Sequence, residues 1–335
     1  MTHRTAIRSA LALVAALLLS APAHALLFRA YLAPTGSDAN PCTLPQPCRL
    51  LPAALTAVAD GGEIWMLDSA NYNSSSVNIT KSVTILAVPG ALGSVVAAGG
   101  NAIEIATAGV KVALRNLVIV PLVGGGGTSG INMTNGAALT VENCLIANLP
   151  ETGIFVNTAA SVRVTDTTIR DNGDTGLDLE GGARASVTRA TISGNGNTGV
   201  YVFGSGANTT TADIANSTLD ANLTGVYAWS IHASGVVKVS VRDSQIARNS
   251  FGLYAQSNFG ASVTFSASNN MIANNGSEGM SSYFAGSKMW ASGNTVSDNG
   301  LGLYNDSGLF ESAGNNAVRN NGTNKTGTIT VVAME

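Results

Sequence analysis

Asp178 and Glu180 have the residue types and the spacing that could cleave a glycosidic bond. One residue separates them, and on a β-strand this places both carboxylates on one face, about 6.5–7 Å apart. Inverting glycosidases hold their two carboxylates roughly 6.5–9.5 Å apart, so the pair falls near the lower end of that range. Any outward acidic pair with this spacing would match equally well. The alternative is therefore that both residues are solubilising surface acids.

A repeat that begins near residue 110 indicates how these two residues are positioned. A polar residue, an aliphatic residue and an Asn follow one another at intervals of three, and Gly-aliphatic-x-aliphatic comes after a short gap. The marker glycines recur every 23 to 27 residues, at positions 130, 153, 176, 199, 225, 252, 279 and 302. A period of this size is typical of a solenoid, and each copy holds short strands with no room for a helix. The sequence predicts an all-β, right-handed parallel β-helix of about 9–10 coils.

Much of the aromatic content of the chain falls at outward positions of these coils. The residue two positions after each marker glycine faces outward, because its two neighbours are apolar and face the core. The residue four positions after the glycine faces outward for the same reason. The row comprises Phe155, Tyr201, Phe203, Tyr227, Trp229, Tyr254, Tyr283 and Tyr304, on the same face as the acidic pair. Coils stacked about 4.8 Å apart would align rings that suit the faces and hydroxyls of sugars. Alternatively, the stacked rings only stabilise neighbouring coils, by about 0.2–1 kcal/mol per pair.

An Asn occupies the same repeat position in seven coils, at 172, 195, 222, 249, 275, 299 and 321. We expect these side chains to stack, with each amide donating to the carbonyl of the next. They are interpreted as structural rather than catalytic. Leu122 and Leu149 fill the equivalent position in two earlier coils, so the ladder is expected to begin after them.

The segments that flank the coils are expected to cover the unpaired strand edges at both ends. Pro47 to Ala59 is predicted to be a short N-terminal capping helix that ends at Asp60-Gly61-Gly62 and shares one apolar face among Leu51, Ala54, Leu55 and Val58. The tail from Thr326 to Ala333 is expected to be a final strand. No linker interrupts the chain, so we expect one domain over residues 26–335, with cap 26–62, coils 63–325 and C-terminal end 326–335.

The N-terminus is typical of a secretory signal peptide covering residues 1–25. Basic Arg4 and Arg8 precede the apolar run from Leu11 to Leu19 and the small-x-small site Ala23-His24-Ala25. The apolar run is shorter than the roughly 20 residues of a membrane span. We expect an extracellular or periplasmic protein with no membrane span in the mature chain.

The charge of the chain bears on its binding partners, and its cysteines bear on disulfide formation. Only 11% of residues are charged and the net charge is −3. The chain has no basic stripe, which argues against a nucleic-acid partner. Export favours a disulfide between Cys42 and Cys48 over two free thiols. Cys144 falls at an inward strand position and is interpreted as a core residue.

The coils and the entry segment together resemble the pectate-lyase-like β-helix superfamily. The resemblance rests on the Asn-x-x-Gly-aliphatic coils from about 110 to 321. It also rests on an entry segment that begins with Gly36-Ser-Asp-Ala-Asn40-Pro-Cys42 and ends with Gly61-Gly62-Glu63-Ile64. It implies a β-helix, but the superfamily includes lyases, polygalacturonases, epimerases, phage tailspikes and proteins without known activity.

No catalytic residue of that superfamily can be transferred to this sequence. Polygalacturonase-like members carry Gly-His-Gly. The mature chain has one histidine, His232, and it lies within Ser230-Ile-His-Ala233. We interpret His232 as a surface loop residue. Alginate-epimerase-like members carry Asp-Pro-His, which is absent. Calcium-dependent lyases group several Asp around a cation, whereas Lys238 and Arg242 have only Asp243 beside them. We predict no metal site and no cofactor.

Three functions remain open at this stage. The first is binding of extracellular polysaccharide along the aromatic row. The second is a polysaccharide lyase or glycoside hydrolase acting on uronan-type glycans, with Asp178 and Glu180 as candidates. The third is a structural or adhesive surface protein without a ligand.

Overall fold

The chain folds as a right-handed parallel β-helix of about ten coils, in a computed structural model that describes residues 26–333. Each full coil contributes one strand to each of three sheets, and all paired strands are parallel. This confirms the fold class predicted from the repeat. The predicted signal peptide lies outside the described residues.

Sheet 1 has thirteen strands and runs the length of the solenoid. Its strands are β1 (Leu27–Leu32), β2 (Val58–Met66), β5 (Val83–Ala87), β8 (Lys111–Arg115), β11 (Ala138–Glu142), β14 (Ser161–Thr165), β17 (Arg184–Thr188), β20 (Thr209–Ala215), β23 (Val236–Arg242), β26 (Ser262–Ser268), β29 (Ser287–Ser292), β32 (Leu309–Ser312) and β35 (Ile329–Val331).

Sheet 2 follows sheet 1 in each coil and has eleven short strands. They are β3 (Ala70–Asn71), β6 (Gly93–Ala97), β9 (Leu117–Pro121), β12 (Leu145–Ala147), β15 (Thr168–Arg170), β18 (Thr191–Ser193), β21 (Thr218–Asp220), β24 (Gln245–Ala247), β27 (Met271–Ala273), β30 (Thr295–Ser297) and β33 (Ala317–Arg319).

Sheet 3 contains the segments around and after the marker glycines and also has eleven strands. They are β4 (Val77–Asn78), β7 (Ile103–Ile105), β10 (Ile131–Met133), β13 (Ile154–Asn157), β16 (Leu177–Glu180), β19 (Thr198–Gly204), β22 (Thr224–Ser230), β25 (Phe251–Ser257), β28 (Glu278–Tyr283), β31 (Leu301–Asp306) and β34 (Thr323–Thr326).

Sharp corners between sheets 1 and 2 explain why polar residues recur at fixed positions. The first corner residue has a positive φ, from 50° to 55°, at Asn116, Asn143, Asp166, Arg189, Asn216, Asp243 and Asn269. Asn and Asp tolerate this left-handed conformation better than most residues, so the repeat selects them there. The chain can therefore turn into sheet 2 within two residues.

The predicted asparagine ladder is present along the corner that leads out of sheet 2. Nδ2 of Asn172 donates to Oδ1 of Asn195 at 2.9 Å, and the same bond recurs from coil to coil as far as Asn321. The backbone N–H of Leu149 donates to Oδ1 of Asn172, so Leu149 does occupy the slot before the ladder. Buried polar groups must be satisfied, and the ladder satisfies each amide within the solenoid.

A second, shorter ladder, which was not predicted from the repeat, lies at the corner between sheets 1 and 2. Nδ2 of Asn270 donates to Oδ1 of Asn294 at 3.0 Å, and Asn294 donates to Asn316 at 2.9 Å. Earlier coils hold Cys144 and Thr167 at this corner. Cys144 is buried as expected, but it lies at this corner rather than on a strand, and burial raises the pKa of its thiol to about 11.

The helix among the described residues, α1 (Leu51–Ala57), is shorter than the predicted Pro47 to Ala59. Its apolar face is buried as expected. However, β2 already begins at Val58, so Asp60-Gly61-Gly62 lies within a strand instead of ending the helix. Strand β1 belongs to sheet 1, so the cap segment itself supplies the first strand of the stack.

Two features complete the ends of the described chain. Cys42 and Cys48 are joined by a disulfide, with their Cα atoms 4.6 Å apart. The tail ends in strand β35, which pairs with β32 in sheet 1.

Within residues 26–333, α1 lacks the length and apolar character needed to cross a bilayer.

Candidate functional site

The outward surface of sheet 3 holds the aromatic row and the acidic pair in two parallel columns. Strand pairing places one residue of each coil directly above its counterpart in the next. The first column runs Asn132, Phe155, Asp178, Tyr201, Tyr227, Tyr254, Ser281 and Tyr304. In the second column, Asn157 pairs with Glu180, Phe203 with Trp229, Trp229 with Gln256, and Gln256 with Tyr283.

The inward residues of the same strands hold these columns in place. Val200, Val202 and Val226 alternate with the aromatic residues and are fully buried. Each strand thus presents an apolar residue to the core and a ring to the outside, as the period of two requires. The rings are consequently mounted on rigid sheet rather than on loops.

Seven rings of the two columns are joined in one unbroken contact network, and we call these seven the aromatic face: Tyr201, Phe203, Tyr227, Trp229, Tyr254, Tyr283 and Tyr304. Between coils, the ring centroids of Tyr201 and Tyr227 lie 5.3 Å apart, and those of Tyr227 and Tyr254 lie 4.9 Å apart. The network continues through Tyr283 to Tyr304 at 5.2 Å. All seven side chains are half-buried, so each ring keeps part of its surface open.

Within a strand, the rings lie side by side and nearly parallel. Tyr227 and Trp229 differ by 4° in plane with centroids 5.7 Å apart, and Tyr201 and Phe203 differ by 16° at 5.4 Å. These distances are those of favourable aromatic pairs. The two strands β19 and β22 therefore offer four rings as a patch two columns wide.

Amide side chains fix the orientation of the rings in the middle of the face. The hydroxyl of Tyr227 donates to Oε1 of Gln256 at 2.6 Å, and Nε1 of Trp229 donates to Oδ1 of Asn258 at 2.6 Å. Nε2 of Gln256 also donates to Oδ1 of Asn258 at 2.9 Å. Burial raises the pKa of Tyr227, so its hydroxyl stays a neutral donor.

Asp178 and Glu180 lie at one end of the aromatic face, in the coil before Tyr201 and Phe203. Burial, with the nearby carboxylates of Glu180 and Asp174, raises the pKa of Asp178 to about 8. Burial also raises the pKa of Glu180. Oδ1 of Asp178 is buried and has no hydrogen-bond partner among the described residues. Asp178 is therefore protonated at neutral pH.

Two residues that contact this face were not predicted from the sequence because they precede a marker glycine instead of following it. The ring of Phe251 meets Tyr254 edge-on at 5.4 Å. Glu278 is almost wholly buried, and its Oε1 accepts the hydroxyl of Tyr283 at 2.6 Å, while Oε2 has no partner among the described residues. The sequence signal that could have identified both residues is their position directly before a marker glycine.

The structure does not bring every predicted residue together. Phe155 pairs in register with Asp178 and makes no ring contact with the aromatic face among the described residues. His232 lies in the loop between β22 and β23, where its Nδ1 accepts from the backbone N–H of Ser234. Arg242 forms an ion pair with Asp243. Within residues 26–333, no three His, Cys, Asp or Glu side chains lie together as metal ligands would.

Several solved structures share this fold. Pectate lyase Pel9A is 14% identical in sequence over 92% of this chain and 78% of its own, with a TM-score of 0.55. The complex of XylC with xylose is 8% identical over 83% of this chain and 69% of its own, with a TM-score of 0.50. Dettilon tailspike protein is 14% identical over 89% of this chain and 68% of its own, also with a TM-score of 0.50. No curated protein matches the sequence. At these identities the similarity shows the fold alone.

The sequence also matches a family model described as the right handed beta helix region. The matched segments, 72–230 and 129–268, overlap and together cover more than half of the chain. They span the first four asparagines of the ladder, Asn172 to Asn249, and most of the aromatic face. The chain therefore belongs to the right-handed β-helix family.

Proposed function

We propose that this protein binds extracellular polysaccharide along the aromatic face. The observation that carries the proposal is the unbroken run of half-exposed rings from Tyr201 to Tyr304. The run crosses five coils and extends about 19 Å along the solenoid. A surface of this length can accept several rings of an extended sugar chain.

The contacts on the face suit a carbohydrate in particular. Sugars present apolar ring faces and polar hydroxyl edges, and aromatic residues with polar groups match both. Gln256 and Asn258 border the central rings and already hold them in position. Because the rings are ordered before binding, little conformational entropy is lost when a ligand arrives.

Relatives of the same fold are consistent with this ligand class. A pectate lyase and a protein bound to xylose both have this architecture. For this chain, however, the proposal depends on the aromatic face and not on the shared fold. The expected signal peptide would deliver the protein to where such polysaccharides occur.

A glycan array probed with the mature protein tests the proposal. We expect binding to be lost in a variant carrying Tyr201→Ala, Tyr227→Ala and Tyr254→Ala. The matched control is Phe28→Ala with Phe259→Ala, which removes two exposed rings elsewhere. A folded triple variant that binds glycans like the unmodified protein, but unfolds more easily, would show that the rings only stabilise the coils. The single variants Tyr227→Ala and Tyr254→Ala answer the same question if the triple variant does not fold.

A second candidate function, hydrolysis of a bound uronan-type glycan, is favoured by the state of Asp178. A protonated Asp178 could donate its proton to the glycosidic oxygen. Glu180, as the carboxylate, could take a proton from the water that attacks the anomeric carbon. This division of roles requires Glu180 to ionise before Asp178. Burial raises the pKa of both groups, and the charge of Glu180 raises that of Asp178 further.

Release of reducing ends from pectin, alginate and other uronans tests the second candidate. We expect Asp178→Asn and Glu180→Gln each to abolish release while glycan binding on the array persists. Unsaturated products would indicate a lyase instead. A protein that binds glycans and releases no product from any of these polymers is a binding protein, and the acidic pair then has no catalytic role.

A further inference from the structure

The outward surface of sheet 1 carries a column of cations that the aromatic face does not explain. Strand pairing stacks one residue per coil in the order Ser161, Arg184, Thr211, Lys238, Thr264 and Lys288. The three cations therefore occur in every second coil, with a threonine in each coil between them. Two coils correspond to about 9.6 Å along the solenoid. We call Arg184, Lys238 and Lys288 the cation column.

The cation column is not neutralised by the protein. Elsewhere, Arg29, Arg115, Arg170, Arg189, Arg242 and Arg248 each form an ion pair with an acid. Within residues 26–333, none of the three column cations has such a partner. In the adjacent column, Asp213 accepts a hydrogen bond from its register partner Ser240. All three cations are exposed, so their charge is directed to solvent.

A shallow groove runs beside the column from the coil of Ser161 to the coil of Thr264. Its volume is about 470 Å³, and its lining includes Arg163, Arg184 and Lys238. In the neighbouring column, Arg163 is followed by the short side chains of Ser186, Asp213, Ser240 and Ser266, and then by Trp290, which stands beside Lys288. Arg184 and Lys238 thus stand beside a floor of short polar side chains. This is a surface on which an extended polar chain can lie.

We propose that the cation column binds an acidic polysaccharide that lies parallel to the solenoid axis. One pyranose unit of an extended chain is about as long as one coil is high. Carboxylate or sulfate groups on alternate sugar units then meet Arg184, Lys238 and Lys288 in turn. Serine and threonine hydroxyls between the cations supply hydrogen-bond partners for the sugar hydroxyls.

The spacing disfavours a nucleic acid as the occupant. A nucleic-acid strand carries a phosphate about every 3.4 Å along its helix, far more densely than cations about 9.6 Å apart. Single-stranded binding surfaces also place aromatic rings between their cations, so that bases can stack. Threonines occupy those positions between Arg184 and Lys288. The formal charge of the whole chain is −3, which also opposes a general affinity for phosphate polymers.

Binding of dextran sulfate and polygalacturonate to the mature protein, measured by titration at low ionic strength, tests the proposal. Neutral dextran is the matched polymer without charge. The test variant is Arg184→Thr with Lys238→Thr, because threonine is the residue that this column uses in adjacent coils. The control variant is Arg170→Thr with Arg189→Thr, which removes the same charge from exposed ion pairs elsewhere.

We expect the unmodified protein to bind at least one acidic polymer and not dextran. The test variant should bind it about tenfold more weakly, as the loss of two exposed ionic contacts implies, while the control binds normally. Binding should also weaken as salt shortens the screening length from about 30 Å at 0.01 M to about 3 Å at 1 M. The single variant Lys238→Thr gives the same comparison if the double variant fails to fold.

Four results would overturn the proposal. The unmodified protein could bind neither acidic polymer, or it could bind dextran equally well. The control variant could lose as much affinity as the test variant, which would show an effect of net charge alone. Single-stranded DNA could bind as tightly as the polysaccharides, which would show a general response to polyanions. Which of the two acidic polymers binds more tightly distinguishes carboxylate from sulfate groups.

Discussion

Tyr254 and Tyr283 stack with their ring centroids 4.7 Å apart and their planes within 20°, although they occupy different outward columns of sheet 3. The register partner of Tyr254 is Ser281, a small residue that is fully buried. Tyr283 fills the gap that this serine leaves and then contacts Tyr304. One residue outside the first column thus keeps the aromatic face continuous.

Replacing Tyr283 by Ala should break the aromatic face into two parts. We expect each lost ring contact to cost about 0.5–1.5 kcal/mol of unfolding free energy, and glycan affinity to fall as well. Tyr283→Phe is the control, because it keeps the ring and loses only the hydrogen bond to Glu278. Denaturant unfolding and glycan titration measure the two effects. Equal affinity in both variants would mean that ligands do not use this end of the face.

The stability of the fold should depend on pH through Asp178. Its pKa is raised to about 8, whereas the unfolded chain ionises this group near 3.8. Asp178 therefore stabilises the fold fully below pH 3.8. That contribution is lost progressively as the pH rises towards 8 and does not change further above it.

The variant Asp178→Asn should remove this dependence. Its melting temperature, compared with that of the unmodified protein, should rise steadily between pH 4 and pH 8. The control is Asp298→Asn, which makes the same change at an exposed carboxyl in another coil. A constant difference across this range would contradict the burial of a protonated Asp178.

Removing one member of the asparagine ladder should destabilise the solenoid. Nδ2 of Asn249 donates to Asn275 and to the carbonyl of Leu219, and its Oδ1 accepts from Asn222. Asn249→Ala leaves buried partners unsatisfied, and we expect a cost of about 1–3 kcal/mol in unfolding free energy. The exposed loop variant Asn208→Ala should change little. Equal effects of the two variants would mean that water replaces the ladder bonds.

The marker glycines should be intolerant of a side chain because neighbouring coils approach closely. A Cβ on Gly225 would lie 2.7 Å from the carbonyl oxygen of Gly252 and 2.9 Å from a methyl group of Ile246. We expect Gly225→Ala to cost about 1–3 kcal/mol, as overpacking does. At Gly206 the nearest atom would be 3.8 Å away, so Gly206→Ala is the matched control. Thermal unfolding of both variants measures the difference, and similar melting temperatures would refute the close approach.

The repeat predicted the fold and the asparagine ladder because both follow from local rules that recur in every coil. The second ladder escaped notice because its corner is occupied by Cys144 and Thr167 before the asparagines begin at Asn270. Helix α1 proved shorter than predicted because the chain enters sheet 1 at Val58. Phe251 and Glu278 were overlooked because outward positions were counted only after the marker glycine.

The sequence by itself determined which residues are equivalent from coil to coil and which alternate residues face outward, because a strand has a fixed period of two and the coils have a recognisable period. Only the tertiary structure decided how those residues interact. Tyr283 crosses to another column because Ser281 leaves space, and the pKa of Asp178 is raised because the carboxyl is largely buried beside other acids. Arg184, Lys238 and Lys288 are distant in the chain and become neighbours only when the coils stack in register. Contact, burial and charge spacing depend on that stacking, which no single segment of the sequence specifies.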